Sequence, residues 1–357
     1  MVSFGETSPP SAFIYARFSA CQYLSAIFFH FFFYFTQLRF LHFLFLYLIS
    51  KDEDSPLSWI FITLTNVIRT FSEISGKYTT VICDLWGCLH DGVKSFPKAL
   101  RALKDFKDAN GKVVLVTNAP RPVENIKYQI ANLGIKNTHY DKLLTSGELT
   151  SIYIRKVCEN ISKIFHIGGT RHHSIYKDMI HEKKITIELE NIADADLIVC
   201  TEPFNPSRDQ LSDYESMLKA GINKELTLLC ANPDFVVDVG ETREMCAGSV
   251  ASMYEQMGGK VIYFGKPHNK IYQEVYSFLN KFGKARSESI LCIGDGLNTD
   301  IRGANKEKLD SLLIVGGLLK TKHLTLKGND TIIDETKLNQ TIEENEVHVD
   351  YAIKFFR

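Results

Sequence analysis

The stretch that decides the fold is Val81-Ile-Cys-Asp-Leu-Trp-Gly-Cys-Leu-His-Asp-Gly92. Its short apolar run has the composition of a buried β-strand and places the carboxylate of Asp84 at the strand end, directly before a glycine-containing loop. In an open α/β sheet, ligands bind beyond the carboxyl ends of the strands. We therefore expect Asp84 to lie where the chemistry of such a sheet takes place.

Three further apolar runs end in polar side chains in the same way. They are 113–116, followed by Thr117 and Asn118; 261–264, followed by Gly265 and Lys266; and 290–294, followed by Asp295 and Asp300. An ordered series of Asp, Thr, Lys and paired Asp side chains at the ends of parallel strands predicts a site for a phosphate group and a metal ion.

The carboxylates in this series suit phosphoryl transfer. Asp84 is the candidate nucleophile, because a carboxylate can attack phosphorus and so divide one difficult displacement into two easier ones. The same carboxylate can also hold Mg²⁺, which takes a few carboxylates together with water and phosphate oxygens. Asp295 is the candidate second metal ligand. Asp300 is expected either to bind the metal or to orient water or Lys266.

The remaining residues of the series are candidates for binding the phosphoryl group. Thr117 is expected to use its hydroxyl group, and Asn118 mainly its backbone N–H. Lys266 is expected to neutralise charge on the nucleophile and on the phosphate, since positioning and electrostatics are most of what a phosphoryl-transfer site supplies.

These ordered motifs resemble those of the haloacid dehalogenase (HAD) superfamily, and in detail those of its subclass IIA, which includes p-nitrophenylphosphatase-like enzymes and phosphatases of nucleotides and sugar phosphates. The resemblance extends from about residue 69 to the C-terminus, and its motifs are Asp84-x-Trp-Gly-x-x-x-Asp-Gly92, Thr117-Asn118, Gly265-Lys266-Pro267 and Gly294-Asp295-x-x-x-Thr299-Asp300. It implies an α/β fold with a Rossmann-like core, a mostly parallel sheet, an inserted α/β cap domain of the C2 type, and Mg²⁺ as cofactor. It also implies that Gly87 and a cap loop with Asn232 and Asp234 contact the substrate.

One position departs from the family pattern. Two residues after the nucleophile, HAD phosphatases usually carry a second aspartate, the general acid for the leaving group, whereas this chain carries Trp86. An indole cannot donate a proton in that sense. The backbone carbonyl of Trp86 remains a candidate metal ligand, because that contact does not depend on the side chain. His90 and Asp91 are weak candidates for a replacement acid, and Asp91-Gly92 is typical of a turn.

The length of 357 residues predicts two domains. Alternating strand and helix patterns place the catalytic core at residues 65–147 and 258–357, and a second α/β unit, the cap, at 148–257. The polar tail from Lys320 onward supports no structural prediction.

Residues 1–64 do not belong to this pattern. Between 18 and 49 the chain is apolar and rich in phenylalanine, with Arg39 as its charged residue, and is long enough to cross a bilayer. A membrane anchor is one interpretation; the others are a disordered or spurious extension from a wrongly chosen start site, and a processed signal.

The net charge and the cysteines bear on the binding partners and on the cellular compartment. The formal net charge of −1 gives no support for nucleic-acid binding. The eight cysteines form no C-x-x-C pair, and several lie in apolar strand-like runs, which is typical of core thiols in a reducing compartment. We therefore expect a cytoplasmic protein, unless the 18–49 segment anchors it to a membrane, and assembly of identical subunits is left open.

The sequence thus leads to a first hypothesis, a Mg²⁺-dependent hydrolase that forms an aspartyl-phosphate on Asp84 and acts on a small phosphorylated metabolite. The alternative is a catalytically weak HAD-like protein that binds a phosphometabolite, which Trp86 favours. A dehalogenase or phosphonate-type reaction is a third interpretation, because those branches also lack the second aspartate.

Overall fold

The computed structural model describes residues 65–357, apart from residues 183, 188, 241, 284–288, 328 and 329. The apolar segment 18–49 lies outside the described residues, so the three interpretations of it stay predictions. Within the described ranges, no helix is both long enough and apolar enough to cross a membrane.

Parallel strands dominate the described residues. In chain order, the strands are β1 (Asn66–Ile68), β2 (Thr80–Cys83), β3 (Lys112–Thr117), β4 (Lys142–Thr145), β5 (Ile164–Ile167), β6 (Leu197–Cys200), β7 (Thr227–Cys230), β8 (Val236–Val239), β9 (Thr242–Met245), β10 (Lys260–Tyr263), β11 (Ile290–Gly294), β12 (Asp310–Ile314), β13 (Leu324–Lys327), β14 (Asp330–Ile333) and β15 (Tyr351–Ile353).

Helices connect most of these strands. They are α1 (Pro97–Asp108), α2 (Val123–Asn132), α3 (Ser146–Val157), α4 (Lys177–His181), α5 (Glu215–Asn223), α6 (Ala247–Gln256), α7 (Asn269–Asn280), α8 (Arg302–Glu307), α9 (Lys320–His323) and α10 (Glu335–Glu344).

The strands form two parallel sheets and two hairpins. The large sheet has the order β1-β15-β12-β11-β2-β3-β4, and the second sheet the order β10-β7-β6-β5. All their pairings are parallel, whereas β8–β9 and β13–β14 are antiparallel. The predicted α/β fold, with a mostly parallel core sheet and a second α/β unit, is confirmed.

The centre of the large sheet is covered on both faces. Val81 and Cys83 of β2 pack into a cluster with Leu103 of α1, whereas the intervening Ile82 packs into a cluster with Val275 of α7. Because successive side chains of a strand point to opposite faces, a strand covered by helices on both sides is apolar at every position. All four residues of β2 are buried, as this arrangement requires.

The topology also places the site. β2 lies between β11 and β3, and the register pairs Cys83 with Ile293 and Leu115. The chain therefore moves outward from β2 in both directions, and the switch point of an open α/β sheet is where a ligand crevice forms. Asp84 and Asp295 directly follow the two strands that meet there.

Two details of the sequence analysis need correction. Lys260–Tyr263 pairs with Thr227–Cys230, so the second sheet extends beyond the expected boundary at residue 257. The unassigned tail contributes β15, which inserts between β1 and β12 in the large sheet. A short apolar strand looks the same in the sequence of either sheet, because only its distant partners determine which sheet it joins.

Candidate active site

The ends of β2 and β11 bring two buried carboxylates together. The ligand atoms of Asp84, Asp295 and the thiol of Cys88 all lie within 4.8 Å of one another. Burial raises the pKa of Asp84, with Lys266 opposing the increase, and burial together with the charge of Asp84 raises the pKa of Asp295 well above its usual range. Two carboxylates this close and this buried strongly favour a cation between them.

Lys266 connects two of the acidic residues. Its Nζ lies 2.7 Å from Asp84 Oδ1 and 2.7 Å from Asp300 Oδ1. Burial alone would lower the pKa of Lys266, but the charges of Asp300 and Asp84 raise it above its ordinary value, so the lysine is protonated. An ammonium between two carboxylates neutralises part of their charge and fixes their orientation.

Asp300 is positioned by two hydrogen bonds. Its Oδ1 accepts from Lys266 Nζ, and its Oδ2 accepts from the backbone N–H of Gly296 at 3.1 Å. Burial raises the pKa of Asp300 to about 6, with Lys266 opposing the increase. Of the two roles expected for Asp300, these contacts favour the orientation of Lys266, since the group of possible metal ligands contains Asp84, Cys88 and Asp295.

Asn118 makes two hydrogen bonds to the backbone of Lys266. Its Oδ1 accepts from Lys266 N at 2.8 Å, and its Nδ2 donates to Lys266 O at 3.0 Å and to Asp234 Oδ1 at 2.9 Å. The side chain of Asn118 therefore braces the site, a role that the sequence analysis missed because hydrogen bonds over 148 residues leave no local signal. The expected phosphate contact from its backbone N–H stays a prediction.

The second sheet contributes Asp234 to the same centre. Burial raises the pKa of Asp234 to about 6, against the charge of Lys266 and the hydrogen bond from Asn118. Asn232 contributes differently, because its Oδ1 accepts from the backbone N–H of Asp234 at 3.1 Å and so shapes the turn. The structure thus brings Asp234 to the carboxylate cluster, whereas the substrate contact expected of Asn232 stays a prediction.

Gly87 and Thr117 line the approach to the carboxylates. Gly87 has a φ of +72°, and a Cβ atom there would lie 1.9 Å from Asp295 Oδ2. Only glycine permits this close passage of backbone past carboxylate. Thr117 is buried, and its Oγ1 accepts from the backbone N–H of Ala119 at 3.2 Å. The phosphate contact expected of its hydroxyl group stays a prediction.

Trp86 joins the core to the hairpin of the second unit. Its Nε1–H donates to the carbonyl oxygen of Asp238 at 2.6 Å, and its ring packs edge-on against His90 with centroids 5.0 Å apart. A cleft of about 620 Å³ lies against Trp86, Gly87, Asp238 and Asp295. The indole stands at the position where the family pattern has a general acid, and its N–H is engaged in the hydrogen bond to the Asp238 carbonyl.

His90 and Asp91 serve the local turn. Burial lowers the pKa of His90 to about 4, and its Nδ1 accepts from the backbone N–H of Gly92 at 3.0 Å. Asp91 Oδ1 accepts from the backbone N–H groups of Val93 and Lys94, and these bonds, opposing burial, lower its pKa. Neither side chain is therefore protonated near neutral pH, in agreement with their weak standing as acids.

The donor set fits a hard divalent cation such as Mg²⁺. Asp84 and Asp295 offer oxygen atoms, which Mg²⁺ prefers. Asp295 Oδ2 is itself held by the backbone N–H of Leu318 at 3.0 Å, which fixes its orientation. Burial raises the pKa of Cys88 well above its usual range, so its sulfur is a neutral thiol and a poor ligand for such an ion. The metal role of the Trp86 carbonyl stays a prediction.

Comparisons with known proteins agree with this fold and site. A family model described as haloacid dehalogenase-like hydrolase matches residues 81–180, and a second HAD-hydrolase-like model matches residues 263–336. A solved haloacid dehalogenase-like hydrolase from Brucella suis is 30% identical, with a TM-score of 0.67, and the match covers 81% of this chain and 100% of that one. This chain belongs to the haloacid dehalogenase-like hydrolase family, in its subclass IIA, and is therefore a hydrolase.

Two curated relatives carry the names of phosphatases. The ribonucleotide monophosphatase NagD of Escherichia coli is 27% identical over 67% of this chain and 88% of its own length. The 5'-nucleotidase YutF of Bacillus subtilis is 23% identical over 70% of this chain and 91% of its own length.

Proposed function

We propose that the protein is a metal-dependent phosphatase that hydrolyses phosphate monoesters through an aspartyl-phosphate on Asp84. The observation that carries the proposal is the ammonium of Lys266, 2.7 Å from both Asp84 and Asp300, at a strand end shared with Asp295. The family membership and the phosphatase names of the relatives support the same class of reaction.

In the proposed reaction, the Asp84 carboxylate attacks phosphorus and the bond to the leaving oxygen breaks. Water then hydrolyses the acyl phosphate, which restores Asp84 and releases inorganic phosphate. A bound Mg²⁺ would be held by Asp84 and Asp295 and would neutralise charge on the phosphoryl oxygens. Lys266 opposes the increase in the pKa of Asp84 that burial causes and neutralises further charge, and Asp300 and Asn118 hold Lys266 in position.

At position 86, where the family has its general acid, this site has no group that can protonate the leaving oxygen. General acid catalysis typically contributes about 10²–10⁴-fold, and Trp86 cannot supply it because an indole does not release its proton; its N–H instead donates to Asp238 O. We therefore propose that esters whose leaving groups depart as stable anions are hydrolysed faster than alkyl esters, which include nucleotides and sugar phosphates. The same observation supports the second candidate function, a binding protein for a phosphorylated metabolite with little turnover.

We also propose that the second unit acts as a cap that closes over the leaving group. It supplies Asp234 to the centre and the Asp238 carbonyl to Trp86. Closure of such a unit excludes water and sets specificity. Since the two curated relatives are named for nucleotide substrates, we propose a small phosphorylated metabolite of that general class.

The test is phosphate release by the full-length protein from p-nitrophenyl phosphate and from a panel of metabolite phosphates, with Mg²⁺ or with EDTA. Asp84→Asn should abolish release, because an amide cannot act as the nucleophile. The matched control is Asp108→Asn, at an exposed aspartate paired with Lys104, which should retain full activity. Release that survives Asp84→Asn, or that EDTA leaves unchanged, would contradict the proposed mechanism.

A complete absence of turnover needs a second measurement. Equilibrium binding of the same phosphates to the native protein separates the two candidate functions. Metal-dependent binding without turnover would favour the binding protein, and absence of both would exclude both candidates.

A further inference from the structure

The second sheet presents a row of polar side chains at one edge. Its four strands run parallel in the order β10-β7-β6-β5, so the residues that follow them meet at the same edge in the order Lys266, Asp234, Glu202 and Arg171. Neighbouring strands lie about 4.8 Å apart, so β5 is about 10 Å from β7. The row therefore leads from Lys266 to Arg171.

Glu202 fixes the orientation of Arg171. Arg171 Nε donates to Glu202 Oε1 at 2.9 Å, and its Nη2 donates to the other carboxylate oxygen. The carboxylate is further held by the backbone N–H of Gly169 at 3.2 Å and by His172 Nε2 at 3.0 Å. The Glu202 side chain is only 11% exposed, whereas that of Arg171 is 62% exposed. The buried carboxylate of Glu202 thus fixes the orientation of the exposed guanidinium group of Arg171.

A second arginine reaches the same place from the core. Arg121 follows the Thr117-Asn118 motif, and its backbone carbonyl accepts from Thr145 Oγ1 at 2.7 Å. Burial, and next the charge of Arg171, lower the pKa of Arg121. Arg121 Nη2 donates to Gln129, but its buried Nε has no hydrogen-bond partner among the residues that the structure describes.

The two arginines together point to an anion. Besides burial, the charge of Arg171 lowers the pKa of Arg121, and the carboxylates of Glu202 and Glu244 act on Arg171. Buried donors are normally satisfied, and the unsatisfied exceptions call for an explanation. A carboxylate or phosphate group would supply the missing acceptor, since guanidinium groups bind such anions with paired hydrogen bonds.

We propose that Arg171 and Arg121 form a second anion subsite, which binds a carboxylate or phosphate group on the leaving part of the substrate. This inference rests on the proposed phosphatase function and narrows its substrate class to phosphate monoesters with a second anionic group. It also gives the buried Glu202 a purpose that a surface ion pair lacks, because exposed pairs contribute little to stability.

The test compares substrates that differ only in the second anion. A series of alkanediol bisphosphates and of phosphorylated hydroxy acids, with increasing chain length, is set against alkyl monophosphates of matching length. The two arms distinguish a phosphate from a carboxylate as the second anion. The full-length native protein should prefer the doubly anionic esters by about tenfold or more in kcat/KM once the chain spans the gap.

Three variants locate the preference. Arg171→Gln and Arg121→Gln should each raise KM for the doubly anionic esters and remove the preference, while kcat/KM for p-nitrophenyl phosphate, which has no second anion, stays unchanged. The matched control is Arg155→Gln, at an exposed arginine paired with Asp178, which should keep the preference. Unchanged activity on the aryl ester also shows that each variant is folded.

Calorimetric binding of the same pairs of ligands to Asp84→Asn, with and without Arg171→Gln, gives a readout that needs no turnover. Turnover without any preference for the second anion, or a preference that survives both arginine variants, overturns the subsite and leaves the phosphatase intact. A binding preference that depends on Arg171 in a protein without turnover supports the subsite and sinks the proposed hydrolysis. Equal binding of both ligand classes overturns the subsite regardless of turnover.

Discussion

Trp86 has a structural role at the position where the family pattern has a proton donor. The family pattern places a proton donor at this position, and here the indole N–H instead bonds the Asp238 carbonyl of the second unit. Its ring also packs closely on Gly92, where a Cβ atom would lie 2.5 Å from the indole. The side chain thus stabilises the contact between the two units at the place where a general acid would stand.

Trp86→Asp should restore an acid and remove this contact. We expect the rate on alkyl phosphates to rise relative to that on p-nitrophenyl phosphate, by up to about 10²-fold, because only the poor leaving group needs a proton. The measurement is the ratio of the two kcat/KM values in native and variant proteins. Trp86→Phe is the control, since it removes the N–H and adds no acid, and its ratio should not rise. An equal change in both substrates for Trp86→Asp would show that the position does not face the leaving group.

Gly87→Ala should damage the metal site more than the fold. The added Cβ atom would lie 1.9 Å from Asp295 Oδ2, so the carboxylate must move. Gly134→Ala is the matched control, because Gly134 also has a positive φ, +83°, but nothing lies within 4 Å of its added Cβ atom. Both variants should lose about 1 kcal/mol of unfolding free energy to backbone strain. Only Gly87→Ala should lose activity and require more Mg²⁺ for half-maximal rate. Equal activity in the two variants would contradict the position assigned to Asp295.

Residues that follow strands were easier to predict than residues that act across the chain. Asp84, Lys266 and Asp295 each follow a buried apolar run, so the sequence places them at the sheet edge, and the structure brings them together. The hydrogen bonds of Asn118 to Lys266 and the bond of Trp86 to Asp238 span 148 and 152 residues. No local pattern encodes such partners, because a polar side chain looks the same in sequence whatever it bonds.

At the scale of elements, helix α3 holds the ends of two strands of the second sheet. Ser146 Oγ lies 2.5 Å from each of the carbonyl oxygens of Ala231 and Phe264, which follow β7 and β10. Ser146→Ala should cost about 1–3 kcal/mol of unfolding free energy, because the single hydroxyl hydrogen is lost and a buried carbonyl is left without its donor. Chemical denaturation measures the loss. Ser252→Ala on α6, where the hydroxyl accepts from the exposed Gln256 side chain, should cost less. A Ser146→Ala loss no larger than that of Ser252→Ala would contradict this role.

The types of element were predictable, but the sheet that each strand joins was not. β2 and β11 are buried at every position and largely apolar, as is typical of interior parallel strands. β10 has a similar apolar composition but is less buried and pairs with β7 at the edge of the second sheet. β15, only three residues long, lies in a polar tail and gains its place from pairing with β1 and β12. Short strands owe their position to long-range register, which periodicity does not report.

At the scale of the whole molecule, the buried His166 should lower stability in mild acid, whereas the raised pKa values of Asp234 and Asp300 act in the opposite direction. Burial, and next the charges of His173 and His172, lower the pKa of His166 from its ordinary value of 6.5 to about 3. Between pH 6.5 and 3, the unfolded chain therefore binds a proton at His166 that the folded chain does not bind. The stabilising contribution of neutral His166 is complete above pH 6.5 and is lost as the pH falls toward 3, by up to about 1.4 kcal/mol per pH unit.

His166→Gln tests the origin of this acid sensitivity. As the pH falls from 6.5 to 4, the unfolding free energy of this variant should decrease less, or increase more, than that of the native protein. His181→Gln, at an exposed histidine, is the control and should retain the native slope. The measurement is urea unfolding across this pH range, and an unchanged slope in His166→Gln would rule out the buried histidine as the cause.

The position of Lys266 links the melting of the two sheets. Lys266 follows β10 of the second sheet, yet its ammonium lies between Asp84 and Asp300 of the first. If the second sheet unfolded alone, it would withdraw this ammonium and leave buried carboxylates uncompensated, which is strongly unfavourable. Calorimetry should therefore show one heat-absorption peak for the described region, with equal calorimetric and van't Hoff enthalpies. Lys266→Met would remove the ion pairs that join the two sheets, and the single peak should then separate into two. The contact between the sheets at Lys266 therefore determines how cooperatively the protein unfolds.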